Sequence, residues 1–213
     1  MLPSKPMKQD RTKTALKSFL ARRALVPGPI TLSNGSESAY YFDCKRVTLT
    51  SEGAELVGNA VLDEILKLPE WPKAIGGLTY GADPIACAVM MCARERGKRI
   101  DGFCVRKEAK QHGTRNVIEN APAPGSAVVI VDDVVTGGGS VLQAVVAAKQ
   151  ARCRILAVIT IVDRLQGGAD RIKAEVNRYL PLYTLNDFSS DIERLSCLSN
   201  TKKSDPLLAE ASL

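Results

Sequence analysis

VVIVDDVVTGGGS, residues 128–140, decides how this chain folds. With Ala127 in front, it opens on AVVIV, a continuous apolar run rich in β-branched side chains. Such a run is expected to be a strand over 127–131, buried on both faces as parallel strands are. SVLQAVVAAKQA (140–151) has the spacing of a helix, and ILAVITIV (155–162) is a second buried strand. Strand, helix and strand at this separation imply a right-handed parallel crossover, and hence an α/β fold. Asp132 and Asp133 then fall at the carboxyl end of the first strand, where open α/β sheets bind ligands. In Thr136, Gly137, Gly138, Gly139 and Ser140, three glycines let backbone N–H groups turn inward around an anion. The helix that follows adds the partial positive charge of its N-terminus. A phosphate cradle thus lies beside two acceptors suited to vicinal hydroxyls, the parts of a ribose 5-phosphate site.

Other phosphate loops fit less well. The nucleoside triphosphate loop needs a Lys after its glycines, and none follows here. The dinucleotide fingerprint begins directly after its strand, whereas here two Asp intervene. A plain glycine-rich turn with a capping Asp leaves the doubled Asp and tripled Gly unexplained together.

Working outward, VRKEAKQHGTR (105–115) leaves an expected strand over 101–105 and enters a polar stretch over 106–126, long for a loop in a compact domain. Within 105–115 itself, Arg106, Lys107, Lys110, His112 and Arg115 face only Glu108. A basic run is commonly a solvated face. Beside a phosphate site it becomes a clamp for a more highly charged anion, with forked Arg, point-charge Lys and the chain's one His as a proton carrier near neutrality. Self-repulsion predicts a loop that is mobile when empty and closes over its ligand. GGLTYGADP (76–84) lies between a short strand expected over 73–76 and a Pro-started helix over 84–96. It can present backbone N–H groups, Tyr80 and Gly81 among them, to a diphosphate, but an ordinary turn reads the same.

Toward the N-terminus a helix is expected over 12–24, with Ala15, Leu16, Phe19, Leu20 and Ala24 on one face, ended by Val26-Pro27-Gly28-Pro29. A hairpin around Asn34-Gly35 follows, then a helix over 53–67. These spans divide the chain into a basic leader (1–11), one domain (12–187, with a small N-terminal part over about 12–50 and a core over about 53–187) and a polar tail (188–213) that is not expected in the core.

Composition sets the outer limits. The chain has 213 residues, 45% of them hydrophobic and 24% charged, enough for one buried core. No apolar stretch has the length of a membrane span. The net charge of +6 is concentrated in Lys5, Lys8, Arg11, Lys13, Lys17, Arg22 and Arg23, and it permits an anionic ligand or nucleic acid. The six cysteines include no C-x-x-C pair, which removes zinc-ribbon and thioredoxin readings. No secretory signal is visible, so the cytoplasm is the expected compartment, an organelle transit peptide being the alternative.

VVIVDDVVTGGGS resembles the phosphoribosyl diphosphate (PRPP) motif of the type I phosphoribosyltransferases. Joined to VRKEAKQHG, it resembles one branch, the orotate phosphoribosyltransferases. ITLSNGSESAYYFD (30–43) is similar to that family's N-terminal hood hairpin, GGLTYGADPIA to its diphosphate loop, and IVDR (161–164) to its late strand ending in Arg. The resemblance runs from about residue 12 to 185. It implies a five-stranded parallel sheet flanked by helices with a small hood, and the transfer of ribose 5-phosphate from PRPP to orotate, with Mg²⁺ carried on the substrate and no dedicated metal residue. By resemblance, Asp132 and Asp133 hold the ribose hydroxyls, Thr136 to Ser140 hold the 5′-phosphate, and Val134 and Val135 between them also belong to the PRPP site. Tyr80, Gly81, Arg106, Lys107, Lys110 and His112 meet the diphosphate, with Lys107, Lys110, His112 and the two Asp as the catalytic set. Tyr41, Phe42, Thr136 and Arg164 address orotate, Arg164 through its carboxylate. A homodimer that shares the 106–115 loop between subunits is also implied. Two positions depart from the pattern: many members carry Lys where this chain has Ser33 or Asn34, and Lys where it has Gly81. The competing readings are a phosphoribosyltransferase for another base, in which Arg164 has no carboxylate to pair, and a PRPP-sensing regulator that binds nucleic acid through its basic surface.

Overall fold

The computed structural model describes residues 7–31, 37–108 and 117–195. The leader forms part of a helix, α1 (Met7–Arg23), which begins five residues before the expected start. Leu16, Phe19, Leu20 and the following Ala24 are buried as the spacing requires, whereas Ala15 is exposed. Val26-Pro27-Gly28-Pro29 does not stand outside regular structure. It lies in β1 (Leu25–Thr31), antiparallel to β2 (Glu37–Phe42), with an irregular register between Pro27 and Ile30. A two-stranded sheet has only edge strands, where Pro costs no interior ladder bond. Residues 32–36, which include Ser33 and Asn34 of the expected turn, lie outside the described residues.

A short helix, α2 (Lys45–Thr48), joins this hood to α3 (Ser51–Ile65), which starts at Thr50, whose side chain accepts the Gly53 N–H. The core continues as β3 (Ala74–Leu78), α4 (Asp83–Glu95), β4 (Asp101–Val105), β5 (Ile118–Glu119), β6 (Ala127–Val135), α5 (Gly139–Gln150), β7 (Arg154–Asp163), α6 (Gly168–Lys173) and β8 (Tyr179–Thr184). The sheet order is β5-β4-β3-β6-β7-β8. Five strands run parallel, as expected, and the two-residue β5 adds an antiparallel edge from within the stretch expected to be loop.

The alternation along β6 explains the layers. Val129 and Val131 join the cluster formed with Leu16, Leu20, Val61, Ile65 and Val89 from α1, α3 and α4. Val128 and Ile130 join the opposite cluster with Val141, Val145 and Ile172 from α5 and α6. A strand covered on both faces has no polar alternate positions, which is why its sequence reads as one apolar run.

The expectation that the segment after Asp187 stays out of the core is corrected. Phe188 has no exposed surface and packs edge-on against Phe42 (4.9 Å between centroids) and Tyr183 (5.8 Å). Ile192 and Leu195 pack on the same cluster, so this helical turn ties hood to core. Residues 196–213 lie outside the described residues. Phe188→Ala is expected to cost about 3–4 kcal/mol and to lower Tm by roughly 10 °C in calorimetry. Among the described residues no helix is long and apolar enough to cross a membrane.

Candidate active site

The site begins where β6 ends. The strand continues through both carboxylates to Val135 instead of stopping at Val131, which corrects the expected boundary. Asp132 and Asp133 are 5% and 8% exposed. Asp132 Oδ1 accepts the Asp133 N–H (3.0 Å), and Asp133 Oδ1 accepts the Val134 N–H (2.9 Å). Each side chain thereby caps the residue after it and stays close to the strand. Burial first, and the neighbouring Asp133 charge second, push the Asp132 carboxyl up to about 7. Sequence reading misses the cation beside them: Lys45 Nζ lies 3.1 Å from Asp133 Oδ2. A Lys–Asp pair 88 positions apart leaves no local spacing to detect.

Thr136 to Ser140 wrap a recess of about 110 Å³ that also touches Asp132, Val134, Val135 and Val141. Gly138 makes the turn at φ 79°, a left-handed conformation open to glycine at no steric cost, and α5 starts immediately after it. Two contacts invisible to local pattern brace the loop: Gly168 N–H donates to Thr136 O (3.0 Å), and Arg171 Nη1 donates to Gly137 O (2.7 Å). With its carbonyls so engaged and a helix N-terminus behind it, the loop suits an anion.

A second recess, about 570 Å³, is lined by Thr79, Tyr80, Asp83, Arg106, Lys107, Glu108 and Glu119. Tyr80 takes φ 74° and is 74% exposed, and its N–H donates to Asp83 Oδ2 (3.0 Å). A left-handed non-glycine residue costs on the order of 1–2 kcal/mol, and such strain concentrates at ligand sites. Gly81 follows because a Cβ there would collide with Asp132 Oδ1. Arg106, expected to face an anion directly, is held by Glu119 of β5 (2.7 Å). Gln143 of α5, another residue that no sequence signal marks, donates to Lys107 O (2.9 Å). Lys110, His112 and Arg115 lie outside the described residues.

Arg164 follows β7 directly. Its N–H donates to Val135 O (2.9 Å), which seats it beside the end of β6. Asp163 anchors the same corner, accepting the Tyr179 hydroxyl (3.0 Å) and the Leu165 N–H (2.8 Å). Arg164 is 7% exposed, and its Nε is buried with no hydrogen-bond partner among the described residues. The guanidinium lies 5.9 Å from the centre of the Tyr40 ring. The hood aromatics therefore divide differently from expectation. Tyr40, a hood-motif residue not among those expected at orotate, lies against Arg164. Tyr41 is 39% exposed, and Phe42 is buried against Phe188. Alternation along β2 accounts for the split.

Among the described residues no three His, Cys, Asp or Glu side chains gather at one point. A divalent cation in this site would take most of its oxygens from a phosphate ligand, an arrangement that suits Mg²⁺.

No protein-family model matches the chain. Individual proteins do. The orotate phosphoribosyltransferase of Streptomyces avermitilis is 44% identical over 165 residues, 78% of this chain and 90% of that protein. The crystal structure of Mycobacterium tuberculosis H37Rv orotate phosphoribosyltransferase in complex with Fe(III) dicitrate superposes with TM-score 0.74 at 37% identity, covering 84% of this chain and 99% of the other. The same mycobacterial enzyme in complex with PRPP gives TM-score 0.69 at 36% identity, covering 83% and 98%.

Proposed function

This chain belongs to the orotate phosphoribosyltransferase family and transfers the ribose 5-phosphate group of PRPP to orotate in pyrimidine biosynthesis, and on that premise we propose how its residues divide the two substrates. Asp132 and Asp133 receive the ribose hydroxyls. The backbone from Val134 to Ser140 receives the 5′-phosphate, with the bracing from Gly168 and Arg171 keeping its N–H groups turned inward. Tyr80, Gly81 and Lys107 line the diphosphate recess, and Arg106 reaches it by leaving Glu119. Lys110 and His112 complete that set from the loop. Arg164 pairs with the orotate carboxylate. The observation that carries this assignment is its Nε: a buried guanidinium donor with no hydrogen-bond partner among the described residues, seated between the hood and the ends of β6 and β7, is what a carboxylate ligand would satisfy.

In the reaction the bond from the anomeric carbon to the diphosphate oxygen breaks, and a bond from that carbon to N1 of orotate forms. Positive charge grows on the ribose while negative charge grows on the leaving diphosphate. The buried carboxylate pair holds the hydroxyls next to the electron-poor carbon, and the basic segment faces the departing anion, so preorganised charge addresses both ends of the breaking bond. Closure of the 106–115 loop excludes water, which would otherwise hydrolyse PRPP. Mg²⁺ bound to the diphosphate would further neutralise the leaving group. A homodimer agrees with the exposed Leu49 and Met91, which line one recess between α3 and α4 that a second copy would cover.

The direct test follows orotate absorbance in the presence of protein, PRPP and Mg²⁺. Rapid loss that depends on all three is expected. Replacement of orotate by uracil, which lacks the carboxylate, should reduce the rate at least about 10²-fold, because it leaves a buried charge unpaired. Equal rates with both bases would sink the role given to Arg164.

A further inference from the structure

The resemblance assigns nothing to Lys45, yet among the described residues it is Lys45 that makes an ionic contact to the carboxylate pair. Lys45 is the first residue of α2, three positions after the end of β2, so it belongs to the hood. Its side chain is 46% exposed and that of Asp133 11%. Asp133 is consequently held at both oxygens, Oδ1 by the Val134 N–H of its own strand and Oδ2 by the hood ammonium. Burial works against the charged ammonium, but Asp133, ahead of Asp43 and Tyr41, holds it above the ordinary lysine value.

Two adjacent buried carboxylates repel each other, and a single cation on one of them decides where the charge sits. Position 81 is Gly in this chain, and a Cβ built there would meet Asp132 Oδ1, so the diphosphate loop brings no cation of its own to the pair from that position. The hood supplies it instead. An ammonium also suits the role, because its three donors let it keep Asp133 and still meet an arriving oxygen.

We propose that Lys45 is a positioning residue for PRPP, holding Asp133 from the hood in the orientation that accepts a ribose hydroxyl. This rests on the assignment of Asp132 and Asp133 to the ribose. It also couples the two halves of the site, because the hairpin that carries Tyr40 and Tyr41 then closes on the same carboxylate that holds the sugar.

The experiment is steady-state kinetics, with each substrate varied, on the wild type, Lys45→Met and Lys45→Arg, together with calorimetric titration of PRPP without orotate. Loss of the half-exposed charge in Lys45→Met is expected to raise KM and Kd for PRPP about tenfold. The KM for orotate should move less than about twofold and kcat less than about threefold, as for an interaction made before the transition state. Lys45→Arg, which restores a cation, should return PRPP binding to within about threefold of wild type. An unchanged PRPP affinity in Lys45→Met overturns the proposal. So does a loss shared equally by both substrates, with a lower Tm and no rescue by Arg, since that marks a contact that merely holds the hood in place. If the wild type turns over orotate and the Asp133→Asn variant binds PRPP as tightly as the wild type does, the ribose assignment beneath the proposal is overturned.

Discussion

Arg164→Ala is expected to lower kcat/KM for orotate about 10³-fold, or about 4 kcal/mol, the cost of leaving a buried charge without its partner. In the complex the unpaired charge would be orotate's carboxylate, brought against Tyr40 with no donor to meet it. The KM for PRPP should stay within about threefold, because the residues proposed for the sugar and phosphate lie on β6 and its loop. Arg164→Lys keeps the charge but loses the planar fork, and a loss of about 10²-fold is expected. Its Tm should match the wild type, since stacking on Tyr40 at 5.9 Å is a weak contact. Retention of more than a tenth of wild-type kcat/KM by Arg164→Ala would show that the carboxylate is read elsewhere. Assays of both variants with uracil separate recognition from damage, because a base without a carboxylate gains nothing from Arg164.

Asp132→Asn should separate stability from activity. The Asp132 carboxyl is pushed up to about 7 by burial and by Asp133. Between roughly pH 4, where an unfolded Asp titrates, and that value, the folded chain keeps a proton that the unfolded chain has released. Stability contributed by this group therefore falls as pH rises through the window, and the deficit is complete above it. Asn keeps the oxygen that accepts the Asp133 N–H and removes the charge. Ligand-free Asp132→Asn is expected to be more stable than wild type at pH 8 by on the order of 2 kcal/mol, or roughly 4–8 °C in Tm. At pH 5 only a minor part of the difference should remain, and below about pH 4 it should vanish, because the folded and the unfolded carboxyl then both hold the proton. Turnover should fall about 10²-fold or more, as a charge preorganised for the reacting sugar is lost. Added PRPP should then stabilise the variant less than the wild type. A variant that is no more stable at pH 8 than at pH 5, relative to wild type, would mean that Asp132 carries no such burden.

Both outcomes depend on a site of which only part is legible in the sequence. AVVIV followed by DDVVTGGGS announces its own chemistry because a strand, two carboxylates and a phosphate loop are made by neighbours along the chain, within the reach of period and turn rules. The same holds for the Pro84 start of α4 and for β7 leading into Arg164. Elements with weak or mixed pattern are less legible. The two-residue β5 reads as loop, and Val26-Pro27-Gly28-Pro29 as a terminator, because Pro and Gly mark breaks unless a partner strand supplies an edge.

By itself, then, the sequence determined the α/β class, four of the five parallel strands and the glycine-rich loop after Asp132 and Asp133, all made by close neighbours along the chain, while the fifth strand, β8, is expected only through the family resemblance. Only the tertiary structure decided that Lys45 meets Asp133, that Tyr40 rather than Phe42 lies against Arg164, that Arg171 braces Gly137, and that Phe188 seals hood to core. Each of those contacts joins residues far apart in the chain. They exist because burial of the two sheet faces brings the strand ends and the hood together, and no spacing rule records which side chains then become neighbours.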